Sequence, residues 1–388
     1  MPKLEARRVT WLSGAACAGI FVFGIVMALL GAILPALAER LEFQVADIGT
    51  LFLAMNGAML AASLVLGLAM DRFGMKPPLA LGPLLVAGAL MMLARATAFA
   101  GLLPAVLLLG VGGGALNGAA NTLVADLHDD PERKSAALNR LGVFFGFGAL
   151  VMPFAIGSLL ARLSLAALLG SAALFSAAAG VFAAGLGFPE PKQGHALPVA
   201  EVPRFLRHPL VLALAALLFF ESGVEFTLGG FISTYLTRDL GTSVAWASWV
   251  LAGYWASLMI ARAALGRWAG NVNPVRILGW CAAGAAAGAL VAAVAPGPGL
   301  AAAAILVTGG SLAGVFPAAL GIAGACFESH SGTVFGILFA VALAGGMSLP
   351  WAAGRIGGAA GLRWVLVMVA AAFAAILGLS RAAARVAR

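Results

Sequence analysis

Apolar runs long enough to cross a lipid bilayer dominate this chain. A spanning helix needs about 20 mostly apolar residues. Twelve such runs occur, at residues 10–37, 46–70, 78–98, 100–125, 136–161, 163–187, 209–236, 246–268, 275–295, 298–326, 333–357 and 362–381. Charged residues make up only 10% of the 388 residues, whereas a soluble domain carries about 25%. The sequence therefore predicts an all-α membrane protein with twelve transmembrane helices.

The longest polar connection divides the runs six plus six. Residues 189–208 follow the sixth run and are rich in proline, with charges of both signs. We therefore expect an N-terminal six-helix bundle over 1–188, a cytoplasmic linker over 189–208 and a C-terminal six-helix bundle over 209–388. Intramembrane prolines are expected to mark kinks; these are Pro35, Pro153, Pro317 and Pro350.

The loops also predict the orientation. Fifteen lysines and arginines fall on the side of the N-terminus and six on the other, with Arg140 and Arg262 inside spans. Positive loops stay in the cytoplasm, so both termini are expected there. The expected location is the cell membrane, in particular a bacterial inner membrane, and the expected state is a monomer.

Several function classes find no support in the sequence. The +8 net charge is spread singly between apolar runs, so no basic groove for nucleic acid is indicated. No phosphate-cradling loop, metal cluster or nucleophile–base arrangement occurs. We therefore expect the protein to be neither an enzyme nor an ATP-driven pump, and to bind no metal and no cofactor. The expected energy source is a proton gradient. The expected partners are the lipid bilayer and a small-molecule substrate.

The seventh run contains "ESGVE", which places Glu221 and Glu225 deep among apolar residues. Acidic residues in the middle of a span are costly and usually mark an ion or substrate path. A spacing of four puts both carboxyl groups on one helix face, about 6 Å apart along the axis. Two carboxylates so close cannot both ionise cheaply. The pair is therefore the predicted proton-coupling site, with hydrogen-bonded packing residues as the alternative.

Other polar and aromatic residues in the spans are candidates with open alternatives. Arg262, in the eighth run, is either the partner of the glutamates and part of a gate, or a side chain that braces its helix. Mid-span amides can read hydroxyl groups or bond neighbouring helices, and aromatic rings can stack on a substrate or simply pack. The predicted substrate-binding residues are Asn56, Asn117, Asn121, Glu225, Tyr254, Trp255 and Trp351.

A short motif follows the second run, "GLAMDRFGMKP" at residues 67–77. With it the chain resembles a major facilitator superfamily transporter, whose pattern here is Gly-x-x-x-Asp-Arg/Lys-x-Gly followed by basic residues. The resemblance implies the major facilitator fold, two six-helix bundles related by pseudo-two-fold symmetry. It also implies a gating role for the matching residues, Gly67, Asp71, Arg72, Gly74 and Lys76. Arg140 is expected at the same gate, against Asp126 or Glu132.

More weakly, the chain resembles the fucose/glucose–galactose permease-like group. The segments that carry this are residues 117–127, 137–153 and 221–236. The resemblance implies a secondary transporter that moves a small polar organic solute, with a sugar as one candidate, in proton symport by alternating access. Substrate is then expected near the midplane between the bundles. Two alternatives stay open: proton-coupled efflux of amphiphilic or cationic compounds, and a non-transporting receptor or assembly factor on the same scaffold.

The charge bias makes the orientation testable. With the linker in the cytoplasm, a protease added outside right-side-out vesicles should leave residues 189–208 intact, whereas inside-out vesicles should be cut there. A protease site engineered into the 238–243 loop is the control and should show the opposite pattern. Cleavage of the linker from outside would overturn the predicted topology.

Overall fold

The computed structural model describes residues 2–41, 43–128, 130–190, 202–268, 272–327 and 331–386. Along these residues the chain forms fourteen α-helices: α1 (Pro2–Leu41), α2 (Val45–Phe73), α3 (Lys76–Arg95), α4 (Phe99–Asp126), α5 (Pro131–Leu159), α6 (Leu165–Ala184), α7 (Val202–Phe205), α8 (Pro209–Arg238), α9 (Val244–Trp268), α10 (Pro274–Val294), α11 (Pro298–Leu312), α12 (Val315–Cys326), α13 (Ser331–Ala360) and α14 (Leu362–Val386).

Twelve segments are long and apolar enough to cross a membrane. The predicted number of spans and the all-α class are confirmed, and the predicted ends lie within four residues of the observed ones. The seventh span is α8, the eighth α9, the eleventh α13 and the twelfth α14. Residues 191–201 of the predicted linker lie outside the described residues, so its cytoplasmic placement stays a prediction.

The tenth span, Pro298–Cys326, differs from the expected single helix. It is divided into α11 and α12 at Ala313 and Gly314. Pro317 explains the division, because proline has no N–H with which to bond the carbonyl four residues earlier, that of Ala313. The other three prolines expected to mark kinks lie inside continuous helices.

Contacts group the described chain into two units. In the first, residues 1–43 and 54–195, α1 packs against α5 and α4, and α3 packs against α6 and α4. The second contains residues 196–388 and also residues 44–53 at the start of α2. There α8 packs against α13, α14 and α9, while α10 packs against α14 and α11. The six-plus-six domain division itself stays a prediction.

Glycine lets α8 and α13 approach closely in the second unit. A Cβ atom on Gly345 would collide with the backbone of Phe219, at 2.6 Å from its carbonyl carbon and 2.8 Å from its Cα. One on Gly223 would lie 2.7 Å from a methyl carbon of Leu349. Small residues serve this purpose in membranes, where lipid gives helices no hydrophobic push toward each other. The close approach of the two backbones therefore packs α8 tightly against α13.

Polar contacts tie one end of α8 to its neighbours. The Tyr235 hydroxyl donates to the carbonyl of Ala292 in α10 at 2.7 Å. Asp239, the residue after α8, accepts hydrogen bonds from the backbone N–H groups of Leu362 and Arg363 at the start of α14. Burial raises the pKa of Asp239 above its ordinary value, against the lowering effect of these bonds and of the Arg363 charge. The end of α8 is thus joined to both α10 and α14.

The close approach at Gly345 makes a testable prediction. Gly345→Ala should lower the free energy of unfolding by about 1–3 kcal/mol, because the added methyl group overpacks the contact with α8. Gly336→Ala, in the same helix, is the matched control, since nothing lies within 4 Å of its Cβ position. Thermal unfolding in detergent would compare them. Equal melting temperatures would contradict the packing described.

Candidate functional site

The two glutamates of α8 are buried. Glu221 is fully buried and Glu225 is 9% exposed. α8 runs without interruption from Pro209 to Arg238, so the spacing of four places both carboxyl groups on one face, as predicted. The helix therefore presents two acids together in an otherwise apolar stretch.

Glu221 and Glu225 can form a hydrogen bond with each other only if one of the two carboxyl groups is protonated. The Ser222 hydroxyl donates to Oε2 of Glu221 at 3.3 Å. Oε1 of Glu221 is buried, and no N–H or hydroxyl group of the described residues donates to it. The Glu225 carboxyl is within hydrogen-bonding reach of Glu221. Because ionised carboxylates only accept, a bond between the two requires a proton on one of them.

Arg262 of α9 supplies the opposing charge. Its guanidinium is half-buried and interacts electrostatically with both Glu221 and Glu225. Its Nε also donates to the carbonyl of Ala313, at the division between α11 and α12, at 3.4 Å. The predicted role as partner of the glutamates is thus compatible with its position, and so is a bracing role, because it contacts the tenth span as well.

Tyr254 completes this group of side chains, which we call the carboxyl cluster: Glu221, Glu225, Tyr254 and Arg262. Tyr254 is fully buried, and its hydroxyl has no hydrogen-bond partner among the described residues. Its charged neighbours are the other three members of the cluster. The ring of Trp255, also buried, lies edge-on to it at 5.4 Å between centroids. The cluster therefore contains two buried polar atoms, Oε1 of Glu221 and the Tyr254 hydroxyl, without a hydrogen-bond partner among the described residues.

Comparison with known proteins assigns the family. A sequence profile described as the Major Facilitator Superfamily matches residues 16–224, more than half of the chain. The chain belongs to this superfamily. No curated protein sequence matches it significantly.

Solved structures of superfamily transporters share the fold at low sequence identity. The nucleoside transporter NupG, as its D323A mutant, is 15% identical with a TM-score of 0.78, over 97% of this chain and 99% of that one. A bacterial homolog of the human lysosomal transporter Spinster is 15% identical with a TM-score of 0.76, over 98% of each chain. The E. coli fucose:proton symporter FucP is 19% identical with a TM-score of 0.65, over 95% and 97%. These likenesses confirm the major facilitator fold.

The superfamily motif lies at the turn between α2 and α3. Gly74 has a φ of 75°, which glycine adopts without strain, and its N–H bonds the carbonyl of Met70 at 2.9 Å. Arg72 lies over the Phe73 ring at 5.4 Å, and Lys76 begins α3. The contacts of Gly67 and of the Asp71 side chain are not part of what the structure describes. The tight turn explains the glycine, while the gating role of Gly67, Asp71 and their neighbours stays a prediction.

The predicted amide ligands belong to the first unit. Asn117 and Asn121 are neighbours on α4, and the Nδ2 of Asn121 donates to Asn117 at 2.8 Å to its backbone oxygen and 3.1 Å to its Oδ1. Asn117 is exposed, whereas Asn56 is fully buried. The amide pair is therefore partly satisfied by itself and still presents polar atoms at the helix surface.

Two further candidates are Trp351 in the second unit and Arg140 in the first. Trp351, on α13, is 38% exposed and lies under the guanidinium of Arg355 at 5.0 Å. Arg140, on α5, is exposed, and its charge acts on the buried thiol of Cys17. The Glu132 side chain lies outside the described side chains. The substrate and gating roles of these residues stay predictions.

Two members of the site were missed by sequence reasoning. Ser222 adjoins Glu221 in the chain, and its hydroxyl could have been expected to fold back on the carboxyl. The Ala313 carbonyl was also missed, although Pro317 itself was recognised. Counting back four residues from a mid-span proline identifies the carbonyl that loses its donor, and this signal would have found it.

The chain's two tyrosines provide a matched test of the cluster. Tyr235→Phe removes a hydroxyl bonded to Ala292 and should cost about 0.5–1.5 kcal/mol of stability. Tyr254→Phe removes a hydroxyl that has no partner, so its melting temperature should equal or exceed that of the wild type. Equal losses in both variants would show that the protein itself satisfies Tyr254.

Proposed function

We propose that this protein is a secondary active transporter that moves a small polar organic solute by alternating access in symport with protons, which bind at Glu221 and Glu225. The observation that carries the proposal is the buried pair of carboxyl groups facing one guanidinium inside a span of a major facilitator fold. The proposed setting is a bacterial inner membrane with both termini in the cytoplasm.

Charge balance supports a proton as the coupling ion. Glu221, Glu225 and Arg262 would together carry one net negative charge if both acids were ionised. A buried net charge is costly in a membrane, and a single proton on the pair removes it. The same proton supplies the hydrogen bond that the two carboxyl groups need. Binding and release of one proton would therefore switch the cluster between a neutral and an anionic state.

The substrate class rests on the polar and aromatic residues of the spans. Amides such as Asn117 and Asn121 present both donors and acceptors, and buried rings such as Trp255 offer a flat apolar surface. Solutes with hydroxyl groups suit such amides, and solutes with a flat or ring face suit such aromatic residues. A nucleoside transporter and a fucose:proton symporter share the fold, so sugars and nucleosides are the first solutes to try.

A second candidate is proton-coupled efflux of a cationic amphiphile. Acidic side chains next to the buried rings of Tyr254 and Trp255 are a combination that favours cations, since ring faces attract positive charge. Arg262 opposes it, because its own charge already occupies the position facing the glutamates. Symport of a neutral solute is therefore the preferred function.

The test uses purified protein in liposomes with three probes: fucose, a nucleoside and the lipophilic cation tetraphenylphosphonium. An inward proton gradient should drive uptake of one neutral probe above its external concentration. Glu225→Gln and Glu221→Gln keep shape but cannot titrate, so gradient-driven uptake should fall at least 10-fold while exchange at equal concentrations survives. Glu190→Gln, an exposed acid outside the spans, is the control and should behave as wild type.

The alternatives give different results. Proton-driven movement of tetraphenylphosphonium alone would favour cation efflux. Flux of none of the probes, together with no shift of melting temperature by a wider solute panel, would favour a receptor or assembly factor. If both glutamine variants still accumulate solute against its gradient, Glu221 and Glu225 are not the coupling site.

A further inference from the structure

The division of the tenth span lies beside the carboxyl cluster. α11 ends at Leu312 and α12 begins at Val315. Pro317 cannot donate to Ala313, so the Ala313 carbonyl has lost its helical partner inside the membrane. Such a carbonyl must find another donor, because unsatisfied backbone groups are costly in hydrocarbon. Arg262 provides that donor through its Nε at 3.4 Å.

The division is held tightly by neighbouring helices. A Cβ atom at Gly314 would lie 2.8 Å from Sγ of Cys281, 2.9 Å from a methyl carbon of Leu265 and 3.0 Å from one of Ile277. α9 and α10 therefore enclose the backbone at the point where the tenth span is interrupted. α9 is also the helix that carries Arg262. A change in the bend of the tenth span must alter the distance between the Ala313 carbonyl and α9.

Arg262 consequently serves two acceptors of different kinds. One is the neutral carbonyl of Ala313, and the other is the carboxyl pair on α8, on which its charge acts. The titratable side chains that interact with the pair are Arg262 and Tyr254, both from α9. α13 contacts this part of α8 through uncharged residues that include Gly345, Gly346 and Leu349. Arg262 is thus the one charged link in the described residues between the interrupted helix and the glutamates.

We propose that Arg262 is a positioning residue that couples the bend of the tenth span at Ala313–Gly314 to proton binding by Glu221 and Glu225. This inference rests on the proposed function and deepens it. While the guanidinium is held by the carbonyl, the pair retains its proton. When the bend changes and releases the guanidinium, its charge moves onto the carboxyl groups and the proton leaves. Proton release is thereby linked to a backbone movement in a different span.

The experiment follows protons directly and needs no solute. Infrared difference spectra of the protein in lipid would record the C=O stretch of protonated carboxyl groups as the pH is raised. Glu221→Gln and Glu225→Gln assign the band to the pair. Arg262→Gln removes the charge, so the midpoint of the band should move to higher pH by about one unit or more.

Pro317→Ala is the decisive variant. It restores the N–H that bonds Ala313 within the helix, so Arg262 is released toward the carboxyl groups and the midpoint should move to lower pH. In the double variant Arg262→Gln/Pro317→Ala the midpoint should equal that of Arg262→Gln alone, because the link has been removed. Additive shifts, or an unchanged midpoint in Pro317→Ala, would overturn the proposal.

Arg262→Lys covers the case in which Pro317→Ala fails to fold. Lysine keeps the charge but has no Nε–H at the same place to hold the carbonyl, so the midpoint should fall, as in Pro317→Ala. A merely structural arginine would lower the melting temperature in both the Lys and the Gln variant and leave the midpoint unchanged. If the band does not respond to either glutamate variant, the proposed function itself fails; if it responds but the cycle is additive, only the coupling through Arg262 fails.

Discussion

A backbone carbonyl without an N–H partner is costly inside a membrane, and the second unit contains one that a side chain must satisfy. Pro317 deprives Ala313 of its helical donor, and Arg262 reaches across from α9 to supply one. The proline explains why the tenth span is divided, and the contact gives the arginine inside the eighth span a backbone partner. The position of the guanidinium beside the glutamates follows from it.

Without that arrangement, burying Glu221 and Glu225 would destabilise the protein. Two buried acids on successive turns of α8 repel each other when ionised and require either a proton or a counter-ion. The chain provides both routes, a guanidinium that interacts with them and a geometry in which one carboxyl group can donate to the other. The fold supplies rigid surroundings, since glycines such as Gly345 hold α13 against α8.

The sequence predicted most of the architecture because membrane spans are specified by length and composition, which are local properties. The twelve spans, the superfamily and the burial of Glu221 and Glu225 follow from apolar runs and one motif. The division of the tenth span was harder to see, because proline also lies inside helices that continue past it, at Pro35, Pro83, Pro104, Pro153 and Pro350. The sequence left two roles open for Arg262, as partner of the glutamates or as a brace, because the choice depends on how α8, α9 and α11 pack. The self-bonded amides of Asn117 and Asn121 illustrate the same limit.

The fastening at the end of α8 restricts how that helix can move. Tyr235 and Asp239 fix it to α10 and α14, while the opposite half, which includes Glu221, lacks such polar ties to those two helices among the described hydrogen bonds. A rod fastened at one end can swing but cannot slide along its length without breaking those ties. Glu225 and Glu221 lie about three and about four turns from Tyr235, so they would then travel sideways in an arc. Such a swing would displace Glu221 farther than Glu225, because Glu221 lies farther from the fixed end of α8.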